Sequence, residues 1–253
     1  MQRYFIPPEQ FGATEATIAG EDAHHLIHVM RARAGDSIIV SNGLNREALA
    51  QIASIGKNAV TVKLVEDLPM NAEPKAQVWI AQSLPKGDKM ELVIQKGTEI
   101  GAARFVPFLS ARTVVQYDAK KEAKRLERWR KIAKEAAEQA HRNLIPEVDA
   151  PVTWNQLLAL AKEADLALLC YEKESNQKLK TVLKQAVEKR GGPDGMRILL
   201  AIGPEGGFTE REAEEAEREK FVTVGLGARI LRTETAGIVG LTCILYETGE
   251  MGG

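Results

Sequence analysis

Hydrophobic positions divide the chain into a short strand-rich beginning and a longer part in which strands and helices alternate. In the first part, apolar runs bounded by turn residues predict strands at 37–40, 48–55 and 60–65. Gly56-Lys57-Asn58 separates the last two runs and predicts a hairpin. Apolar positions at helical spacing predict one short helix at 21–31. Residues 1–70 are therefore predicted to form a compact β-rich domain.

The pattern changes after residues 68–75, a stretch that contains two prolines and has no periodicity. Predicted strands follow at 77–84, 104–109, 166–171, 198–202 and 221–224. Predicted helices lie at 89–100, 120–140, 155–164 and 179–189, and two more begin near Thr209 and at 231–235. This alternation is typical of an α/β domain with a parallel sheet, which we assign to residues 75–253.

Two helix starts have the residue spacing of a capping box. Asp88 and Glu91 stand three residues apart at the start of one predicted helix, and Thr209 and Glu212 do so at another. In each pair the first side chain is expected to cap the helix and the second to reach back to it.

Composition narrows the class of protein. With 44% hydrophobic and 27% charged residues the chain has the make-up of a soluble globular protein. The net charge of −1 argues against a uniformly basic nucleic-acid binder, so an RNA site must be a local patch. No apolar run reaches membrane-spanning length and the first residues lack a signal core, so we expect a cytoplasmic protein with no membrane partner.

Cysteines and histidines give no metal or disulfide prediction. Cys170 and Cys243 lie in apolar runs and are expected to be small buried hydrophobes. His24, His25 and His28 share a helical stretch, but no acidic third ligand stands at a recognisable spacing. We therefore expect no metal, and expect these histidines to be packed or on the surface.

A basic segment begins the helix predicted at 120–140. Residues 120–134 contain eight Lys or Arg and two Glu, a net charge of +6. Positive charge is unfavourable at the positive end of a helix, so this segment is predicted to contact a phosphate backbone. For Arg3, Arg31 and Arg33 a solvated surface charge stays equally open. The candidate RNA-binding residues are Arg3, Arg31, Arg33, Lys86, Lys124, Arg128, Lys131 and Arg142.

Two strand–glycine turn–helix units stand in tandem between residues 197 and 241. The first turn is Gly203-Pro204-Glu205-Gly206-Gly207, and the second contains Gly225 and Gly227. A phosphate site is not favoured, because Pro204 has no N–H and Glu205 brings negative charge. The Walker lysine and the G-x-G-x-x-G spacing are also absent. The turns are predicted to bind a neutral or cationic ligand with an adenine-like face, or else to be tight connections only.

Three segments carry a resemblance to a known family. GPEGGFTEREAEEAE at 203–217, LGARILRTETA at 226–236 and KGDKMELVIQKGTEIGA at 86–102 closely resemble RsmE-type ribosomal RNA uridine N3-methyltransferases of the SPOUT superfamily. The resemblance covers nearly the whole chain. It implies a PUA-like β-barrel at 1–70, a trefoil-knotted SPOUT domain at 75–253, S-adenosylmethionine as methyl donor and a homodimer. The implied substrate is N3 of a uridine in 16S ribosomal RNA, at position 1498 of the usual numbering, within an assembled small subunit.

The resemblance also implies a cofactor pocket built from three turns at strand ends. The implied cofactor-binding residues are Leu169, Tyr171, Ile202, Gly203, Pro204, Glu205, Gly206, Gly207, Val224, Leu226, Gly227, Ile230 and Leu231. The proton on uracil N3 must leave during methyl transfer. Either a carboxylate accepts it as a base, or an arginine stabilises the uracil anion that its loss leaves behind. The catalytic candidates are Arg232 first, then Glu234 and Glu205. The alternative for each is a structural cap or an ion pair, and for Glu205 that alternative is equally open. Gly237 and Gly240 in the last helix are weak helix formers. They suggest close helix packing, with a dimer interface as one location.

Two other functions stay open at this point. One is a non-enzymatic RNA-binding ribosome-assembly factor, which would leave the tandem glycine turns without a purpose. The other is a nucleotide-dependent oxidoreductase, against which the missing dinucleotide fingerprint counts. Calorimetry with S-adenosylmethionine and NAD separates all three.

Overall fold

The computed structural model describes residues 1–114, 119–173 and 177–252, without the side chains of residues 119–121. The chain folds into two compact units. The first contains residues 1–73 together with 137–145, and the second contains 74–136 and the chain from residue 146 onward. The domain limits predicted from the sequence did not include this return of 137–145 to the first unit.

A five-stranded sheet forms the first unit, in the order β1-β3-β4-β5-β2. The strands are β1 (Arg3–Phe5), β2 (Glu15–Ala19), β3 (Ser37–Ser41), β4 (Glu47–Ile55) and β5 (Ala59–Asp67). A 3-10 turn at Pro8–Gln10 and helix α1 (Gly20–His24), which continues as a π-helical turn at His25–Val29, complete the unit. Strands β3, β4 and β5 confirm the three predicted runs, and the antiparallel pairing of β4 with β5 confirms the hairpin. Strands β1 and β2 were missed.

One face of this sheet carries the core of the first unit. Along β5, Val60 and Val62 are fully buried, whereas Lys63, the next residue, is exposed. This alternation is expected for a sheet with one covered face. Ile18, Val40 and Ile52 join them from three other strands. This unit thus has a small core of its own.

A parallel sheet forms the second unit, in the order β12-β10-β11-β6-β7-β8, with β9 also paired to β7. Its strands are β6 (Gln77–Ser83), β7 (Arg104–Leu109), β8 (Glu147–Val148), β9 (Val152–Thr153), β10 (Leu166–Cys170), β11 (Arg197–Ile202) and β12 (Phe221–Val224). Its helices are α2 (Lys89–Ile100), α3 (Ala119–Gln139, whose last residues belong to the first unit), α4 (Trp154–Leu160), α5 (Leu179–Arg190), α6 (Glu210–Arg218) and α7 (Thr233–Glu247). The α/β prediction with a parallel sheet is confirmed.

Strand β11 lies at the centre of this sheet and is buried on both faces. Ile198, Leu200 and Ile202 belong to the core that includes residues of α2, α5 and α7. Leu199 and Ala201 belong to the core that includes residues of α4 and α6. Because successive side chains of a strand point to opposite faces, one short apolar run anchors a helical layer on each side of the sheet.

The glycines of α7 serve packing within the chain. A Cβ on Gly240 would lie 2.7 Å from Leu200 Cδ2, and one on Gly237 would lie 3.3 Å from Gln82 Oε1. Both residues are buried against the sheet. The close packing predicted for these glycines is confirmed, and it lies within the chain, where glycine lets the helix approach β11 and β6.

Two other local predictions are corrected. Asp88 stands at the N-cap of α2 but its side chain makes no capping hydrogen bond, and Glu91 instead forms an ion pair with Arg128 at 2.7 Å. Cys243 is exposed and Cys170 is only partly buried, so the prediction of two buried cysteines is wrong for Cys243. By contrast, Thr209 and Glu212 form the predicted capping box at α6.

Candidate functional site

Three neighbouring strands of the second unit end at the same edge of its sheet. Cys170 at the end of β10 pairs with Ile202 of β11 and with Val224 of β12. The turns that follow these strands enclose a cavity of about 510 Å³. The carboxyl edge of a parallel sheet is where α/β folds bind ligands, and this volume is in the range of cofactor sites.

Nearly every residue that the resemblance implied for cofactor binding lines this cavity. These are Tyr171, Ile202, Gly203, Pro204, Glu205, Gly206, Gly207, Val224, Leu226, Gly227, Ile230 and Leu231. Leu169 is the exception, because its side chain is fully buried in the core on the α4 and α6 side of the sheet. The structure thus brings together the two glycine turns and the end of β10, while Leu169 supports the site only from within the core.

The turn after β11 requires glycine at defined positions. Gly207 has a φ of +64°, and its N–H donates to the carbonyl of Pro204 at 2.8 Å. A Cβ on Gly203 would lie 3.2 Å from the backbone of Gly207. The chain therefore doubles back tightly, which leaves its backbone close to the cavity.

A buried hydrogen-bond network joins this turn to the start of α7. Gln82 Nε2 donates to Thr233 Oγ1 at 2.8 Å, and Thr233 Oγ1 donates to the carbonyl of Gly203 at 2.6 Å. Gln82 is fully buried at the end of β6, and Thr233 is 6% exposed. Since a buried polar group is costly without a partner, this network fixes the first residue of α7 against the glycine turn.

Charged residues gather at the mouth of the cavity. Lys89 Nζ lies 2.8 Å from Glu205 Oε1 and 3.6 Å from Glu234 Oε2. The hydrogen bond to Glu205 raises the pKa of Lys89. Burial acts to raise the pKa of Glu205, but hydrogen bonds from Lys89 and from backbone N–H groups outweigh it and lower that pKa. Glu205 is therefore ionised at neutral pH and fixed in place by these hydrogen bonds.

Arg232 is the N-cap residue of α7, lines the cavity and is exposed. Its guanidinium makes no hydrogen bond or ion pair with any residue in the described ranges. Glu234, by contrast, does not line the cavity, and its side chain is 13% exposed. Arg232 and Glu205 thus both line the cavity, but Glu205 is paired with Lys89, whereas Arg232 keeps its donors unoccupied among the described residues.

A second group of contacts holds the outer side of the glycine turn. Arg112 donates to the carbonyl of Gly206 at 2.6 Å and its side chain packs over that residue. Glu212, 4% exposed, caps α6 through Thr209 and also accepts from the N–H of Ala111 at 2.7 Å. The loop after β7 is thereby tied to the cavity wall. The sequence did not single out Arg112 or Lys89, whose partners are distant in the chain.

The structure corrects two of the candidate RNA contacts in the first unit. Arg3 is 7% exposed and pairs with Glu47 at 2.8 Å, and Arg142 is 5% exposed and pairs with Glu73. Buried guanidiniums that are already paired with carboxylates are not surface phosphate contacts, so these two assignments are wrong. Arg31 and Arg33 are exposed, as the prediction requires.

The candidate contacts of the second unit are on its surface. Lys86 is exposed in the turn before α2, and Lys124, Arg128 and Lys131 are exposed along one side of α3. Arg128 forms an ion pair with Glu91. The spacing of four and three residues places the α3 side chains on one helical face, where they form a basic stripe of Lys124, Arg128 and Lys131.

The histidines have protein partners. His25 Nδ1 lies 2.9 Å from Tyr4 Oη, and the rings of His24 and His28 stand 4.5 Å apart. Within the described ranges no group of three His, Cys, Asp or Glu side chains is arranged to hold a metal ion. Nor does any helix in those ranges have the length and hydrophobicity to cross a membrane.

Family comparisons define the class. A family model described as an RNA methyltransferase domain matches residues 71–245, and one described as an RNA methyltransferase PUA domain matches residues 18–65. The second unit therefore has the sequence of an RNA methyltransferase and the first that of its PUA domain.

Individual relatives narrow the family. The Bacillus subtilis ribosomal RNA small subunit methyltransferase E is 44% identical over 98% of this chain and 97% of its own, and the Synechocystis protein of that name is 36% identical over 96% and 76%. A Neisseria gonorrhoeae ribosomal RNA small subunit methyltransferase E, solved bound to S-adenosyl methionine, superposes with a TM-score of 0.83, 26% identity and 97% coverage of both chains. The chain belongs to the ribosomal RNA small subunit methyltransferase E family. This assignment excludes the oxidoreductase alternative.

Proposed function

We propose that this protein transfers a methyl group from S-adenosylmethionine to N3 of a specific uridine in 16S ribosomal RNA of the small subunit. The observation that carries the proposal is the cavity between the turns at 203–207 and 224–231, with Arg232 on its lining. Membership of the methyltransferase family supports the reaction, and the cofactor in the Neisseria relative supports the methyl donor.

The residues of the cavity fit the proposed cofactor. Ile202, Val224 and Leu226 supply apolar walls, and the glycine turns expose backbone N–H and C=O groups that can recognise an adenine edge. When bound, the cofactor supplies an electrophilic methyl group on a sulfonium centre. The turns and walls hold and orient it, and positioning of the acceptor nitrogen provides much of the rate acceleration.

The chain must also deal with the proton on uracil N3. Glu205 is a poor base for it, because Lys89 hydrogen-bonds the carboxylate and its pKa is lowered. Arg232 has unoccupied N–H donors beside the cavity, and these stabilise the negative charge that develops on the uracil oxygens as the proton leaves to solvent. We therefore assign catalysis to Arg232 and a holding role to Glu205 and Glu234.

Isolated small subunits and isotopically labelled S-adenosylmethionine test this assignment. Nucleoside analysis should find the label as N3-methyluridine after incubation with the protein. Arg232→Ala should lower the single-turnover rate about 100- to 1,000-fold, the usual effect of removing one donor to a developing anion. Its cofactor affinity should stay within about threefold, since the cavity is otherwise unchanged.

The matched control is Arg218→Ala, which removes an exposed arginine of α6 that pairs with Glu214. It should leave both the rate and the affinity unchanged. A near-normal single-turnover rate for Arg232→Ala would remove Arg232 from the mechanism, and label in any other nucleoside would defeat the substrate assignment.

We assign RNA contact to three exposed basic groups. The basic stripe on α3 and Arg31 with Arg33 of the PUA domain carry it, together with Lys86. Double replacement of Lys124 and Lys131 by Ala should weaken RNA binding and reduce its salt dependence, while S-adenosylmethionine affinity stays unchanged.

Four further properties belong to the same proposal and are supported by family membership. The protein acts in the cytoplasm, forms a homodimer, has a trefoil knot in its methyltransferase domain and recognises its uridine in the assembled subunit. Sedimentation of the purified protein tests the dimer, and comparing free 16S RNA with intact subunits as methyl acceptors tests the substrate form.

A further inference from the structure

One ammonium group connects three structural elements at the mouth of the cavity. Lys89 is the first residue of α2, Glu205 lies in the turn after β11, and Glu234 lies in the first turn of α7. Lys89 Nζ is 2.8 Å from Glu205 Oε1 and 3.6 Å from Glu234 Oε2. Arg232, the N-cap of α7, stands two residues before Glu234.

Lys89 is the cationic partner of both carboxylates. The Oε2 atom of Glu234 is buried without a hydrogen bond, and Lys89 provides a cation beside it. Oε1 of Glu205 accepts from Lys89 and, at 3.1 Å, from the N–H of Lys86. Without the ammonium, two carboxylates would face each other across the gap between the turn and α7, and like charges would push these elements apart.

The charged bridge acts at a different depth from the buried network. Gln82 and Thr233 hold the start of α7 to Gly203 from inside the core. Lys89 is 28% exposed and holds the same two elements at the solvent side of the cavity. Two attachments at different depths restrict the orientation of this helix end more than the buried network alone.

We propose that Lys89 is a positioning residue for methyl transfer: by bridging Glu205 and Glu234 it fixes the first turn of α7 and so holds Arg232 at the cavity. This inference rests on the proposed function, since it assigns Lys89 a role only through Arg232. Nothing in it requires Lys89 to touch the cofactor or the RNA.

Three variants of α2 test the proposal. Lys89→Met removes the charge and keeps the apolar stem, Lys89→Arg keeps the charge, and Lys96→Met is the matched control. Lys96 lies in the same helix and forms an ion pair with Glu99, one turn away at 2.8 Å. The two measurements are calorimetric affinity for S-adenosylmethionine and the single-turnover methylation rate on small subunits.

We expect Lys89→Met to lower the rate roughly 30- to 100-fold, the effect of a misplacement of about 1 Å in a catalytic group. Cofactor affinity should change less than about fivefold, because the cavity walls stay in place. Lys89→Arg should restore the rate to within about fivefold of the wild type, and Lys96→Met should match the wild type.

A double variant separates positioning from a structural effect. If Lys89 acts through Arg232, then adding Lys89→Met to Arg232→Ala should lower the rate no more than about threefold further. Additive losses, a wild-type rate for Lys89→Met, or equal losses in rate and cofactor affinity would each overturn the proposal. Should Lys89→Met melt too low to assay, Lys89→Gln replaces it with the same expected loss.

The wild-type protein separates the two levels of inference. Absence of methyl transfer by the wild type would defeat the proposed function, and the role of Lys89 would fall with it. Normal transfer by the wild type together with normal transfer by Lys89→Met would defeat the Lys89 proposal alone.

Discussion

Thr233→Val removes one hydroxyl from the network beneath the cavity and changes the side-chain shape very little. That hydroxyl accepts from Gln82 Nε2 at 2.8 Å and donates to the carbonyl of Gly203 at 2.6 Å. Valine can do neither. The Gly203 carbonyl loses this donor, and Gln82 Nε2 keeps only its bond to the carbonyl of Ser83 at 3.1 Å.

The cost follows from the burial of the partners. Gln82 is fully buried and its Oε1 already lacks a hydrogen bond, so water has little access to the groups that are left unpaired. An unsatisfied buried polar group costs about 1–3 kcal/mol. With two groups affected and some relaxation, we expect unfolding to become easier by about 2–4 kcal/mol, which lowers the melting temperature by about 6–12 °C.

Calorimetry measures both consequences of this change. Scanning calorimetry gives the melting temperature, and titration with S-adenosylmethionine should show weaker binding, since the glycine turn loses its attachment to α7. The matched control is Thr242→Val in the same helix, whose hydroxyl donates at 2.9 Å to the carbonyl of Ile238 one turn back. That change leaves a helical carbonyl with its ordinary backbone partner, so its effect should stay below about 0.5 kcal/mol.

The comparison between the two variants decides the reasoning. Equal melting temperatures for Thr233→Val and Thr242→Val would show that the buried network does not stabilise the turn. A low melting temperature with unchanged cofactor affinity would show that the network stabilises the fold without shaping the cavity.

Three further predictions rest on other contacts in the second unit. Gly97→Ala should destabilise by about 1–3 kcal/mol in a melting experiment although alanine favours helices, because its Cβ would lie 2.7 Å from the buried ring of Phe105. In native protein that lacks the other cysteine, Cys170 should react only slowly with a thiol reagent at pH 8: the residue is partly exposed, but desolvation of its sulfur raises the pKa to about 12. The melting-temperature difference between wild type and Glu205→Gln should stay constant from about pH 6 to 9 and shrink in acid. Its sign follows from the lowered pKa of Glu205: the carboxylate stabilises the fold above its ordinary value of 4.5, and this is lost as pH falls through the lower folded value.

Each of these changes has a contrary outcome. Unaltered melting of Gly97→Ala, with exposed Gln95→Ala of the same helix as control, would mean that Phe105 moves aside freely. Rapid modification of Cys170 would show that its sulfur is open to solvent. A difference for Glu205→Gln that grows below pH 4 would reverse the assigned sign.

The parts of the fold that local residue chemistry controls were predictable from the sequence. The strand β11 is a continuous apolar run because it is buried on both faces, and the turn after it needs glycine at Gly207 for its positive φ. Thr209 with Glu212 formed the expected cap. Strand β1 was missed because a run of three residues that are all buried shows no alternation. Strand β2 does alternate between exposed and buried positions, but with polar Glu15 and Thr17 it contains no apolar run, which was the signal used for the other strands of this unit.

Features that depend on distant partners could not be predicted. Arg142 looked like a surface cation, yet its partner Glu73 lies 69 residues away in sequence and the pair is buried. Lys89 looked like an ordinary first residue of a helix, and its partner Glu205 lies 116 residues away. Sequence position alone carries no sign of such pairs. The cavity was foreseeable because it follows a general rule, that parallel strands end at one edge of the sheet.

A crystal structure grown with S-adenosylmethionine tests the central claim most directly. The account predicts that the cofactor occupies the cavity between residues 203–207 and 224–231, in contact with the backbone of both turns. Cofactor bound elsewhere on the protein, with this cavity unaltered, would contradict it.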